Sequence, residues 1–225
     1  MNPGASAAVT GYVLAGGRSS RMGQDKAYLQ RNGKPLIEHA LALLQDHCSQ
    51  VFILCGPVDD ERALILSCYA PLVFDKHPGY QGPLAAFAAA ASHCPTPYAL
   101  ILPIDQPNLS SQALQLLLEQ ALSAGALAAC LQYEARPEPL PMFLSRELCS
   151  PLHFALDHGE RRLLATVQTC AAVMGGRVSL VPTPCTQAAA DWFVNLNTPQ
   201  DLHQWQQRSR ASTHLPSGAS EKPYG

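Results

Sequence analysis

The fold class this sequence predicts is a three-layer α/β/α sandwich around a Rossmann-like, mostly parallel sheet, and three observations predict it. Short apolar runs alternate with segments whose apolar residues recur at helical spacing. The chain has 225 residues, 47% hydrophobic and 14% charged, enough for one α/β domain with a sizeable core. A glycine pair, Gly16-Gly17, follows the first apolar run directly, on the carboxyl edge where open parallel sheets bind ligands. The expected layout is a flexible N-terminus over 1–9, a single domain over 10–207 and a disordered tail over 208–225, rich in Ser, Pro, Gly and charge.

In chain order, the first strand is expected over 12–15 and the first helix over 36–45, after Pro35. A strand over 51–55, a short polar helix over 59–67 and a strand over 72–74 follow. Asp75 then falls at a strand's carboxyl end, where a carboxylate suits the N–H or hydroxyl donors of a ligand and equally serves a turn. Gly82 opens an Ala-rich helix to about 94, and its lack of a Cβ would let backbone approach a ligand closely. The strand over 98–102 ends in Pro103-Ile-Asp-Gln-Pro107. A single carboxylate on that Pro-bracketed turn, Asp105, suits Mg²⁺, which takes one or two carboxylates plus phosphates and water; a plain turn Asp is the alternative.

The next helix has Ser110 or Ser111 as its cap and a body over 113–122, with Gly125 after it. A strand over 126–133, a Pro-rich loop over 134–139 and a short strand over 141–144 are expected. Gly159-Glu-Arg-Arg162 precedes a helix over 163–167, its paired arginines reading either as a phosphate site or as solvated surface charge. Strands over 178–181 and 193–197 come last, the second directing Asn195 and Asn197 the same way toward the carboxyl edge. Thr198 as cap, Pro199 at the first helical position and Asp201 in the first turn then start a helix.

The chemistry concentrates in Leu14-Ala-Gly-Gly-Arg-Ser-Ser-Arg-Met-Gly-Gln-Asp-Lys26. Glycines allow tight turns that aim backbone N–H groups inward as an anion-binding concavity, and Arg21 and Lys26 add two cations. Gly23 is followed by Gln24-Asp25 rather than Lys-Ser/Thr, which excludes a Walker loop, and the spacing does not supply a dinucleotide-binding G-x-G-x-x-G.

The pattern L-A-G-G-x-S-x-R-M-G-x-D-K resembles the signature of the nucleotidyltransferases that activate small phosphorylated molecules, most of all the molybdenum cofactor guanylyltransferase family. The segments Gly82-Pro-Leu-Ala-Ala86, Pro103-Ile-Asp-Gln-Pro107 and Gly159-Glu-Arg-Arg162 are similar to further motifs of that family, in order, over about residues 9–206. The resemblance implies a nucleotide-diphospho-sugar transferase-like fold and transfer of GMP from GTP to molybdopterin with Mg²⁺ as cofactor. It implies GTP contacts from Leu14, Ala15, Gly16, Gly17, Lys26, Asp75, Gly82 and Asp105, with Arg21, Lys26 and Asp105 catalytic and Asp105 holding the metal. Arg161, Arg162, Asn195 and Asn197 fall on the acceptor side, and docking on the molybdenum insertase or on client molybdoenzymes extends the partner set. Two departures stand out: Ala86 where glycine is usual, and Glu138-Pro139 where the family often has His-Pro.

Two alternatives stay open: a cytidylyltransferase acting on molybdopterin or another phosphorylated small molecule, and a non-catalytic nucleotide-binding molybdopterin chaperone. Gly-Gly after Leu14-Ala15, with Asn195-x-Asn197, weighs toward GTP. Retention of Arg21, Lys26 and Asp105 together weighs toward catalysis.

A net charge of −2 offers no electrostatic footprint for nucleic acid or an anionic membrane, and neither is expected as a partner. The eight cysteines, with no C-x-x-C pair, read as buried reduced thiols. His153 and His158 read as surface histidines, since helical metal-ligand pairs prefer i, i+4 spacing. Residues 1–10 lack a basic n-region and no run approaches the ~18 apolar residues of a membrane span, so a cytoplasmic protein is expected.

Overall fold

A computed structural model describes residues 9–16, 25–57, 60–77 and 82–212. Its strands are β1 (Val9–Leu14), β2 (Gln30–Arg31), β3 (Lys34–Pro35), β4 (Gln50–Leu54), β5 (Leu72–Val73), β6 (Tyr98–Pro103), β7 (Ala128–Tyr133), β8 (Arg136–Ser145) and β9 (Val178–Pro182). Its helices are α1 (Leu36–Gln45), α2 (Asp60–Ser67), α3 (Pro83–His93), α4 (Ser111–Ser123), α5 (Cys149–Asp157), α6 (Leu163–Val173), α7 (Gln187–Trp192) and α8 (Pro199–Ser212). Seven strands form one sheet in the order β5-β4-β1-β6-β8-β7-β9, and only β8 runs against the rest. This is the α/β fold the alternation of runs predicts.

The chain leaves β1 for β4 and β5 on one side and returns with β6 on the other, so the crevice between β1 and β6 is the topological switch point. Leu14 lies opposite both Leu54 and Pro103, which brings Ala15, Cys55 and Ile104 side by side just beyond the strand ends.

Alternation along the strands divides the core in two. Val9, Val13, Leu100 and Leu102 pack on one face with α1, α4 and both tryptophans, Trp192 and Trp205. Tyr12, Ala99 and Ile101 pack on the other with α3, α5 and α6. In α3 every residue from Leu84 to Ala91 is buried, and its run of alanines lets the helix lie between the sheet and α5. Tyr12 is fully buried, its hydroxyl hydrogen-bonded to His93 Nδ1 at 3.0 Å and its ring stacked on Phe52.

Three sequence expectations are corrected. The Pro-rich segment 134–139 is not a loop ahead of a short strand; residues from Arg136 belong to the ten-residue β8. Against β6 only 142–145 are paired, so 136–141 has one unladdered edge, where missing proline N–H groups are tolerated. Residues 193–197 are not a strand: Leu196 is fully buried with its N–H on the Asp105 carbonyl, and the Asp201 carboxylate accepts the N–H groups of Asn197 and Thr198. Those amides serve the start of α8 and no ladder. Asn195 and Asn197 therefore do not point the same way. Helices α5 and α7 and the β2–β3 ribbon were not anticipated, although Asn32-Gly33, both at positive φ, is a recognisable hairpin turn.

Of the eight cysteines, Cys48, Cys55, Cys94, Cys130 and Cys170 are buried, and burial pushes the Cys48 and Cys130 thiols up to about 12. Cys68 and Cys185 are exposed. The final helix runs to Ser212, five residues past the expected domain end at 207. Among the described residues, no helix is long and apolar enough to cross a membrane.

Candidate functional site

A cavity of about 460 Å³ opens at the carboxyl ends of β1, β4, β5 and β6. Leu14, Ala15, Gly16, Lys26, Asp75, Gly82 and Asp105 all line it, seven of the eight residues expected to contact nucleotide. Gly17, the eighth, and the expected catalytic Arg21 lie outside the described residues.

Lys26 opens a single 3-10 turn, Lys26–Tyr28, capped by Asp25, whose Oδ1 accepts the Ala27 N–H at 3.0 Å. The turn aims Lys26 at the end of β6. Its Nζ donates to Asp105 Oδ2 at 3.0 Å and to Asn197 Oδ1 at 2.8 Å. A lysine ammonium has three donors, so the third stays available to a ligand. Asp105 is itself fixed by the chain, because its carbonyl accepts the N–H of buried Leu196 at 2.9 Å. Three segments far apart in sequence thus meet at one ammonium.

Gly16 sits where the β1 and β4 loops nearly touch: a Cβ there would meet the Gly56 nitrogen at 3.0 Å. Gly82 caps α3 at φ 80°, with none of the described residues within 4 Å of the place a Cβ would take, so among them its glycine is required by conformation and not by closeness. Across the cavity Asp75 donates its N–H to the Gly56 carbonyl at 2.9 Å. Its Oδ1 is buried and accepts no hydrogen bond from the described residues. Burial pushes the Asp75 carboxyl above the usual carboxylate range, partly countered by His77. An acceptor held this way is suited to a ligand N–H.

Asp105 commits one oxygen to Lys26, and Oδ1 accepts no hydrogen bond from the described residues. Among those residues, no group of three or more His, Cys, Asp or Glu is arranged to hold a metal ion by itself. One carboxylate facing an open cavity of this size fits Mg²⁺, which relies on substrate oxygens and water for its remaining ligands.

The expected acceptor-side residues divide. Asn197 joins the Lys26 cluster. Asn195 is exposed, donates Nδ2 to the nearby Phe193 carbonyl at 3.0 Å, and faces a separate cleft with Asp201 and Trp205. Arg161 and Arg162 are exposed and do not line the cavity; Arg161 donates to the carbonyls of Leu156 and Glu160. Glu138 stands half-buried on β8, where burial raises its carboxyl and Arg136 lowers it. His158 is exposed as expected, whereas His153 is half-buried between Ser92 Oγ at 2.7 Å and His77 Nε2 at 3.1 Å.

Sequence reasoning missed Arg62 on α2, which lines the cavity and contacts both Asp25 and the Ala15 carbonyl. Nothing in a short polar helix distinguishes it from surface charge. Leu140, on β8 just before its overlap with β6, also lines the wall, and it falls between the loop expected over 134–139 and the strand expected over 141–144.

The chain matches the family described as MobA-like NTP transferase domain over residues 11–172. It is 32% identical over 203 residues to the molybdenum cofactor guanylyltransferase of Yersinia pseudotuberculosis, covering 90% of this chain and 97% of that protein. Among solved structures, the molybdopterin-guanine dinucleotide biosynthesis protein A of Archaeoglobus fulgidus superposes with a TM-score of 0.72 at 26% identity, covering 90% of this chain and 99% of that one. The 2-C-methyl-D-erythritol 4-phosphate cytidylyltransferase of Thermus thermophilus shares the fold, with a TM-score of 0.60 at 20% identity over 88% of this chain and 98% of that one.

Proposed function

The chain belongs to the family of MobA-like NTP transferase domains, and on that premise we propose that it transfers GMP from GTP to the terminal phosphate of molybdopterin, forming molybdopterin guanine dinucleotide and pyrophosphate. The observation that carries this reading is the convergence of Asp105 and Asn197 on the Lys26 ammonium, with Lys26 and Asp105 in the wall of the switch-point cavity. The names of the relatives at 32% and 26% identity support GTP and molybdopterin as the substrate pair.

In this reading a phosphate oxygen of the acceptor attacks the α-phosphorus of GTP. The new O–P bond forms as the bond to the β-phosphate breaks, and pyrophosphate leaves with the electron pair. The attacking phosphate is already anionic at neutral pH, so no general base is required. What must be overcome is repulsion between anions, which leaves the protein to position and neutralise.

The third donor of Lys26 serves a phosphate oxygen, while Asn197 and Asp105 keep its ammonium aimed at the cavity. Asp105 would hold Mg²⁺, which when bound neutralises charge on the phosphates. The backbone at Ala15–Gly16 lies against the triphosphate, and Gly17 and Arg21 join this cradle on their sequence pattern alone. Asp75, with its unpartnered buried oxygen, accepts the N1–H and N2–H₂ donors of guanine. Gly82 carries the chain into α3 beside that base.

The test is pyrophosphate release by purified protein with Mg²⁺ and molybdopterin, run in parallel with GTP, CTP and ATP. Release with GTP alone, dependent on the pterin, is expected. Release with CTP would move the chain to the cytidylyl branch, and nucleotide binding without release from any of the three would favour the chaperone reading.

A further inference from the structure

We infer that Arg62 is a positioning residue for the nucleotide, setting Lys26 in register with the Ala15–Gly16 backbone through Asp25. Arg62 comes from α2, and its side chain is 17% exposed. Its Nε donates to Asp25 Oδ2, and its Nη2 reaches Asp25 Oδ1 at 3.2 Å as well as the carbonyl of Ala15. One planar guanidinium therefore joins the two structures that form the phosphate end of the cavity. Ala15 directly follows β1 and is fixed to β4 by its N–H on the Leu54 carbonyl at 3.0 Å. Asp25 caps the turn that begins with Lys26.

Two physical consequences follow. The fork of an arginine fixes direction as well as distance, so the Lys26 turn is held against the strand end before any substrate arrives. The Asp25 carboxylate would otherwise oppose an incoming polyphosphate, and Arg62 offsets its charge. Neither task falls to the Lys26–Asp105 pair, which anchors the far end of the lysine side chain while Arg62 anchors its backbone.

This inference rests on the nucleotidyl-transfer reading, and the test separates the two. A double-mutant cycle with Arg62→Gln, Lys26→Ala and the double variant is run on the full chain. It is measured on the Kd for GTP without acceptor and, in parallel, on pyrophosphate release. Arg62→Gln is expected to weaken GTP binding about 10-fold, within the coupling range of contacting residues. It should lower kcat/KM for GTP by about 10²-fold, as misplacement of a reacting group does. The KM for the acceptor should stay at the wild-type value. In the Lys26→Ala background the same substitution should have a clearly smaller effect, because the residue it positions is gone and only the uncompensated Asp25 charge remains. Asp25→Asn, which leaves Arg62 in place, should reproduce part of the loss at an unchanged melting temperature.

Equal fold-losses from Arg62→Gln in both backgrounds would overturn the inference in favour of direct contact with the nucleotide. Wild-type GTP binding in both Arg62→Gln and Asp25→Asn would overturn it outright. Absence of pyrophosphate release by the wild-type chain would sink the transfer reading, while the cycle on Kd would still decide the role of Arg62.

Discussion

At the ends of β1 and β6 and at the start of α6, cations stand beside turns, and their surroundings differ. Lys26 is held by Asp105 and Asn197, 79 and 171 residues away in sequence. Arg161 turns back onto the carbonyls of Leu156 and Glu160, five residues away and one. The first arrangement exists only in the folded chain and points a charge into a cavity; the second satisfies a local turn and leaves the guanidinium near solvent. The proposed nucleotide half of the edge is therefore preorganised without a ligand, and the arginine pair expected on the acceptor side is not. Preorganisation of charge is what phosphoryl chemistry draws on most, so substitutions in the two halves should differ in size and in the parameter they change.

The largest effects belong to Lys26→Ala and Asp105→Ala. Each is expected to reduce kcat by about 10²–10³ or more, the range for losing one preorganised charge donor, and steady-state pyrophosphate release measures it. Near-normal turnover by either variant would remove it from the catalytic set.

Asp75→Asn sharpens the contrast within the nucleotide half. Losing a charged acceptor for guanine N–H groups should raise the KM for GTP about 10–100-fold with little change in kcat. Stability should move the other way. Burial raises the Asp75 carboxyl in the folded chain, so the stability linked to its protonation is present below the unfolded value and is lost as pH rises through the folded one. Asp75→Asn should then melt higher than wild type at pH 7, with the gain vanishing below about pH 4. A lower melting temperature at pH 7 would contradict the desolvated-carboxylate account.

The smallest effects belong to the other half. Arg161→Ala and Arg162→Ala should each raise the KM for molybdopterin by less than about 5-fold, the scale of solvent-exposed charge, and leave the KM for GTP unchanged. A loss of about 10²-fold or more would show that these arginines turn into the acceptor when it binds.

The same comparison explains what the sequence made legible. Strand ends were readable because alternation and helical spacing are local, so Asp75, Gly82 and Asp105 fell on the correct edge. The pairing of Lys26 with Asp105 was legible as membership of one site, though not as a direct contact between the two. Arg62 was invisible, because its partner Asp25 is 37 residues away and no local pattern marks an arginine that turns inward. The prolines of β8 suggested a loop, since their tolerance depends on which edge the sheet leaves unpaired. Residues 193–197 mislead for a related reason: Phe193, Val194 and Leu196 make a short apolar run that looks like a strand, yet Asp201 takes the amides of Asn197 and Thr198.

Titrating GTP with Mg²⁺ into the full chain in the absence of molybdopterin asks whether the nucleotide site stands ready alone. Saturable binding by the wild-type chain is expected, retained when both Arg161 and Arg162 are replaced by alanine and weakened by Asp75→Asn. No binding until molybdopterin is added, or equal weakening by the arginine substitutions, would contradict a nucleotide site that stands ready on its own.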